Sequence, residues 1–293
     1  MTQLSQVSSS QTKRLVPQWS QIMLHAALLL LLLLTLYPVL SMLNLSFKNP
    51  LQWTNDRWAL TFPLRIQNYE IAWGLISHYL LNTVFVAAVS CVLMLALSSI
   101  SAFVFARMRF PGREVLYYAI IALLMVPGIL SLVPAFMLYK NLGMLNNYWT
   151  MIASVATGQS VYGVLLLRTF FASIPEELFE AARLDGCSTL QLYWRICMPL
   201  SVPILGTLAI QSLVSTWNSF IWPSVAIQDD RFQVISVGLL RLTSSLTSVA
   251  GGDAAAYGPL FAGYVIASLP LFLIFVFASR YYVEGLASSG LKL

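Results

Sequence analysis

Along the chain, apolar positions gather into six runs, 22–45, 79–106, 115–139, 149–167, 201–226 and 260–279, and polar positions collect between them. A bilayer core about 30 Å thick needs roughly 20 apolar residues per helical span. Lipid offers no partner for backbone polar groups, so these runs predict helices. The alternation of a transmembrane barrel is absent. The first run, behind Lys13 and Arg14, is longer than the roughly 7–15 residues of a signal core, and no small-x-small cleavage site follows in Ser41-Met42-Leu43-Asn44-Leu45-Ser46-Phe47. It reads as a spanning helix. Pro127-Gly128 and Pro134 in the third run, and Pro270 in the sixth, predict kinks.

Composition agrees with this pattern. Of the 293 residues, 58% are hydrophobic and 9% charged, against about 25% charged in soluble domains. The mean hydropathy is +0.77. Disorder, collagen and secreted disulfide scaffolds are excluded. All Lys, Arg, Asp and Glu residues fall outside the six runs, as expected when a mid-bilayer charge costs about 2.5 kcal/mol or more. With both termini placed in the cytoplasm, ten of the 16 basic residues lie inside and six outside. Arg107, Arg109 and Arg113, within one short loop, weigh most in that orientation. The net charge of +5 therefore reports topology rather than nucleic-acid binding. Cys91, Cys187 and Cys197 match no metal spacing and read as small apolar side chains.

Two outer loops are long. Residues 46–78 carry Trp53, Trp58, Phe62 and Tyr69, which read as interface anchors ahead of a binding surface. Residues 227–259 open with Asp229-Asp230-Arg231, continue with Val234, Val237, Leu240 and Leu242 near helical spacing, and end in a small polar stretch through Gly251-Gly252-Asp253. Two readings stand here: a linker behind a surface helix, or a loop reaching to a partner.

The inner loop 168–200 carries the most information. Ser173 predicts an N-cap with Pro175 in the first turn and Glu176 at the capping-box position; Asp185-Gly186 stops that helix; Ser188 with Gln191 caps a second, which Pro199 ends. Leu178, Phe179 and Ala182 mark one apolar side, and Leu192, Tyr193, Ile196 and Cys197 the other helix's. Two short helices on a glycine turn form a knob suited to the membrane interface or to a groove on a soluble partner. The acids among residues 176–185 disfavour anionic lipid, which leaves protein docking as the better reading.

Glu180-Ala181-Ala182-x-x-Asp185-Gly186, followed after nine residues by Ile196-x-x-Pro199, resembles the EAA loop of bacterial ABC importer permeases. Trp217-Asn218-Ser219-Phe220-Ile221-Trp222-Pro223, Asn82-Thr83 and Arg280-Tyr281-Tyr282-Val283-Glu284-Gly285-Leu286 are similar to the carbohydrate-type, maltose-like members. Cys187, where the family has a small residue such as Ala, and Met198, where Leu is common, are mild departures. The resemblance implies an all-α, six-span membrane protein. It would have a cytoplasmic tail at 1–21, a permease domain over 22–293, a coupling loop at 173–200 and a C-terminal cytoplasmic tail at 281–293. It implies that Glu180 makes a polar contact and Gly186 the turn in a coupling helix on a cytoplasmic ATPase. The implied partners are a sibling permease, two ATP-binding subunits, an extracytoplasmic solute-binding protein, membrane lipid and a carbohydrate substrate, without nucleic acid, in a bacterial inner membrane.

The chain itself has no G-x-x-x-x-G-K-[ST] loop, so ATP and its magnesium belong to the partner ATPase. His25 and His78 stand apart from Cys and acids, which argues against a metal, and no Ser-His-Asp set is present. A transport subunit without its own enzymatic site is expected. A proton-coupled stand-alone transporter lacks its ionisable span residues, and a permease for a non-sugar solute is the alternative within the family. Uncharged polar residues within spans, first Gln159, Gln211 and Asn218, suit sugar hydroxyls, although such residues also join helices.

Overall fold

The computed structural model describes residues 18–249 and 254–290, the last fourteen of these by backbone path only. Lys13, Arg14 and the Gly251-Gly252-Asp253 stretch lie outside the described residues, as do the side chains of 280–286. The described residues form helices and turns without a strand.

The first spanning helix, α1 (Gln18–Ser46), continues through Pro38. α2 (Pro50–Asn55) starts at an Asn49–Gln52 capping box. α3 (Gln67–Arg107) has 41 residues, about 60 Å, and overshoots the bilayer core. The inner loop leads through Gly112, at φ +80°, into α4 (Arg113–Ala122). α5 (Leu132–Asn141) and α6 (Tyr148–Ser173, capped by Asn147) follow. The knob holds α7 (Glu176–Leu184), α8 (Thr189–Leu192) and α9 (Met198–Leu200). α10 (Val202–Trp217), α11 (Ile221–Ala226), α12 (Ile235–Val249) and α13 (Tyr257–Gly290) complete the chain.

Four helices are long and apolar enough to cross a membrane unbroken, and two bent pairs raise the number to six if each pair is one crossing. The third run is more than kinked. It breaks at Val126-Pro127, where Val126 is extended ahead of the proline, and the two halves meet at 98°. The fifth run is also interrupted, since α10 stops at Trp217 and α11 restarts at Ile221. Pro270, by contrast, sits inside a continuous α13, which runs on to Gly290 through the stretch read as a C-terminal tail.

The loop 46–78 is structured by its own contacts. Trp53 stacks on Tyr257 at 4.3 Å, and Tyr69 packs on Phe47 and shares a 2.7 Å hydrogen bond with Ser46. Lys48 is buried, its Nζ donating to the Ala59 carbonyl and the Thr61 hydroxyl. Trp58 and Phe62 stay exposed. In the second outer loop α12 buries Val237 and Leu242 but turns Leu240 outward, against the periodicity reading. The turn before it is held by Asp229, whose hydrogen bond from Arg231 keeps its carboxyl below the usual carboxylate range.

Two apolar clusters organise the interior. The outer one joins α3, α10, α12 and α13 through Ile76, Trp217, Ile235, Leu260 and Ile266. The inner one joins α3, α6, α10 and the knob through Phe103, Leu167, Phe171, Phe179, Tyr193 and Cys197. Gly163 lets α6 close on α3: a Cβ there would lie 2.3 Å from Ser98 Oγ.

Candidate coupling site and membrane cavity

The knob is built by local rules. α6 continues to Ser173, so that serine bonds back to the Phe170 carbonyl and does not cap α7. Pro175 opens α7 instead, with no side-chain cap. At its end Gly186 takes φ +80°, its N–H donates to the Arg183 carbonyl at 3.0 Å, and the Cys187 N–H donates to the Ala182 carbonyl at 2.9 Å. These two bonds form a complete Schellman stop. Ser188 and Gln191 make the reciprocal capping box expected of α8. Pro199 does not end this helix. It has no N–H for the ladder, so the backbone widens to π spacing over Tyr193–Cys197, with the Met198 N–H reaching the Tyr193 carbonyl. The chain turns only at Ser201, by 74° into α10.

The knob is fastened from beneath. Phe179 is fully buried among Phe103, Phe171 and Tyr193. The Tyr193 hydroxyl shares a 2.7 Å hydrogen bond with Ser99. Arg107, the last residue of α3, lies 4.0 Å over the Phe179 ring, donates to the Phe171 and Ile174 carbonyls, and pairs with Glu176 at 2.5 Å. Arg183 pairs with the other Glu176 oxygen at 3.1 Å. In the sequence Arg107 reads only as a topology charge. Its position at the exact end of a span was the signal available for this second role.

The motif residues face the other way. Glu180, Ala181, Asp185 and Gly186 are exposed, Ala182 is half-buried, and the Glu180 and Asp185 side chains have no partner within the described residues. Ile196 is half-buried and Pro199 exposed. Of the apolar side read for α7, Phe179 is buried, Ala182 half-buried and Leu178 exposed, and Leu184 is exposed as well. The knob thus presents an apolar surface rimmed by acids.

The three span residues do not form one group. Gln159 and Gln211 line one cavity of about 190 Å³ between α3, α6 and α10. Asn218 lines a separate hollow at the α10–α11 break, with its amide donating to the Val214 carbonyl. A cavity of about 730 Å³ lies between them, walled by the broken α4–α5 pair and by α6, and it shares Gln159 with the first and Ser219 and Trp222 with the second. No group of three or more His, Cys, Asp or Glu arranged for a metal occurs among the described residues.

The profile of the family described as binding-protein-dependent transport system inner membrane component matches residues 94–287. The chain belongs to this family. Like its other members it is an inner-membrane transport component. It is 34% identical over 266 residues to a probable ABC transporter permease protein, YurM, of Bacillus subtilis, covering 90% of this chain and 86% of that one. It is 32% identical to the diacetylchitobiose uptake system permease protein NgcG of Streptomyces coelicolor, covering 91% and 87%. With the maltose/maltodextrin transport system permease protein MalG of Escherichia coli it shares 29% identity, covering 92% and 94%. Its fold is similar to a chain of a bacterial ABC transporter involved in alginate import, with a TM-score of 0.80 at 22% identity, covering 90% of this chain and 97% of that one.

Proposed function

We propose that this permease is one transmembrane subunit of a bacterial ABC importer for carbohydrate and that its knob is the contact with the ATPase. The observation that carries the coupling role is the two-sided knob. Arg107, Phe179 and Tyr193 tie it to the spanning helices, while Glu180, Ala181, Asp185 and Gly186 stand outward, the Glu180 and Asp185 carboxylates without a partner among the described residues. A body fixed to the spans and free on its far face suits transmission of motion from a soluble partner. The relatives named for diacetylchitobiose and maltose/maltodextrin support the sugar reading.

In this reading Glu180 offers the polar contact, the Asp185-Gly186 turn sets the angle between the knob helices, and Ile196 and Pro199 shape the second one. Both termini lie in the cytoplasm, residues 22–293 form the permease domain, and the assembly holds a sibling permease, two ATP-binding subunits and an external binding protein. ATP bound between the partner subunits favours one arrangement of the assembly over the other, and the knob passes that preference to the spans.

The test is purification from the native membrane in mild detergent, with mass spectrometry of what accompanies the chain and an ATP hydrolysis assay. The expected result is an ATPase and a second permease. A lone, ATP-inert chain from otherwise intact membranes overturns the proposal. The site itself is tested by Gly186→Asp, which forces a side chain into a left-handed turn at a cost of about 1–2 kcal/mol, and by Glu180→Lys. Each is expected to reduce ATPase recovery and sugar uptake at least severalfold without loss of membrane insertion. Full recovery and full uptake would remove that residue from the coupling role.

A further inference from the structure

We infer that the cavity between α3, α6 and α10 is a binding subsite for one uncharged sugar ring within this subunit; the inference rests on the carbohydrate reading above. Its two walls come from one face each of two helices: Gln159 and Tyr162 on α6, and Gln211, Ser212 and Ser215 on α10. Met94 and Leu208 supply an apolar side.

The hydrogen bonding of these five polar groups sets the cavity apart. Most hydroxyls elsewhere in these helices bond to a carbonyl one turn back, the buried Ser90 of α3 being an exception. Ser98 bonds to Met94, Thr157 to Ala153, Ser160 to Ala156 and Thr216 to Ser212. Among the described residues none of the five cavity side chains makes a hydrogen bond of ordinary length, and the Ser212 hydroxyl interacts with the Cys91 thiol. Ser212 is 1% exposed, and its hydroxyl has the weak Cys91 thiol beside it but no nitrogen or oxygen partner among the described residues. The nearby Cys91 thiol points to the Ala209 carbonyl. Gln159 is half-buried and Tyr162, Gln211 and Ser215 are exposed, so the space is open on one side and Ser212 is the buried polar group of the five, where a polar side chain without a full partner is costly.

The chemistry of the lining selects the ligand. Two primary amides and three hydroxyls each donate and accept, as sugar hydroxyls require, and Met94 and Leu208 suit the apolar face of a ring. The lining holds no Lys, Arg, His, Asp or Glu, so a uronate or phosphate would enter without a counter-charge. The volume of about 190 Å³ equals the share of roughly six waters, room for one ring rather than a chain. Through Gln159 the subsite opens on the larger cavity, so a longer sugar would pass one ring at a time. The sequence shows the spacing of both faces but not that they meet.

The test uses the complete importer in liposomes, offered maltose, diacetylchitobiose, an arabino-oligosaccharide and an alginate trisaccharide. Expected are uptake of a neutral sugar but not of alginate, a fall in its uptake of about tenfold in Gln159→Leu and in Gln211→Leu, and severalfold slower thiol labelling of Ser215→Cys when that sugar is present. Parent-like uptake in both glutamine variants, with no protection at Ser215→Cys, overturns the subsite. Loss of the sibling permease from either glutamine variant on purification also overturns it, because these groups would then join the subunits. Uptake of alginate alone overturns the neutral specificity and leaves the proposed function standing. Uptake of none of the four by an intact, ATP-hydrolysing complex overturns the carbohydrate reading itself.

Discussion

At the scale of single residues, Arg107 is the side chain on which the knob depends. Its guanidinium serves two carbonyls at the end of α6 and the Glu176 carboxylate at once, and covers the Phe179 ring. Lysine offers a point charge with no planar fork and cannot reproduce this set. Arg107→Leu leaves buried carbonyls unpaired, at about 1–3 kcal/mol. The expected outcome is faster backbone hydrogen exchange over residues 174–186 and weaker ATPase recovery, with only partial restoration in Arg107→Lys. Unchanged exchange in Arg107→Leu would show that Phe179 and Tyr193 hold the knob without it.

Among the elements, the spanning helices were legible because an apolar run of about 20 residues has few other fates. The Schellman stop at Gly186 and the capping box at Ser188 were legible because their residue types act locally. What failed needed knowledge of neighbours. Ser173 was consumed by a longer α6, and Leu240 points outward although its neighbours Val237 and Leu242 are buried. The early start of α3 was hidden because residues 67–78 carry Glu70 and other polar groups and look like loop. Pro127 announced a disturbance in the third run without its size. A continuous helix would separate positions 116 and 138 by about 33 Å. Spin labels there should give a distance clearly shorter, and Pro127→Ala should move it toward that value; a parent distance of 33 Å would mean the run is straight.

Across the whole molecule, α1 has no buried position in its apolar window and lies along α13, so its surface belongs to lipid or to another subunit. The orientation is checked by membrane-impermeant maleimide on intact cells. Thr61→Cys should label from outside and Gly290→Cys should not, and the opposite pattern would invert the topology. The large cavity and the subsite both border α6, and α6 packs closely on α3 at Gly163. That long helix holds the knob at Arg107 and, about 38 Å away, the outer turn at Asn82, whose amide donates to the Arg231 and Gln233 carbonyls. One helix thus ties the knob to the Arg231–Gln233 turn. In the proposed importer a displacement of the knob would be carried along this helix to that turn, as a lever carries a load.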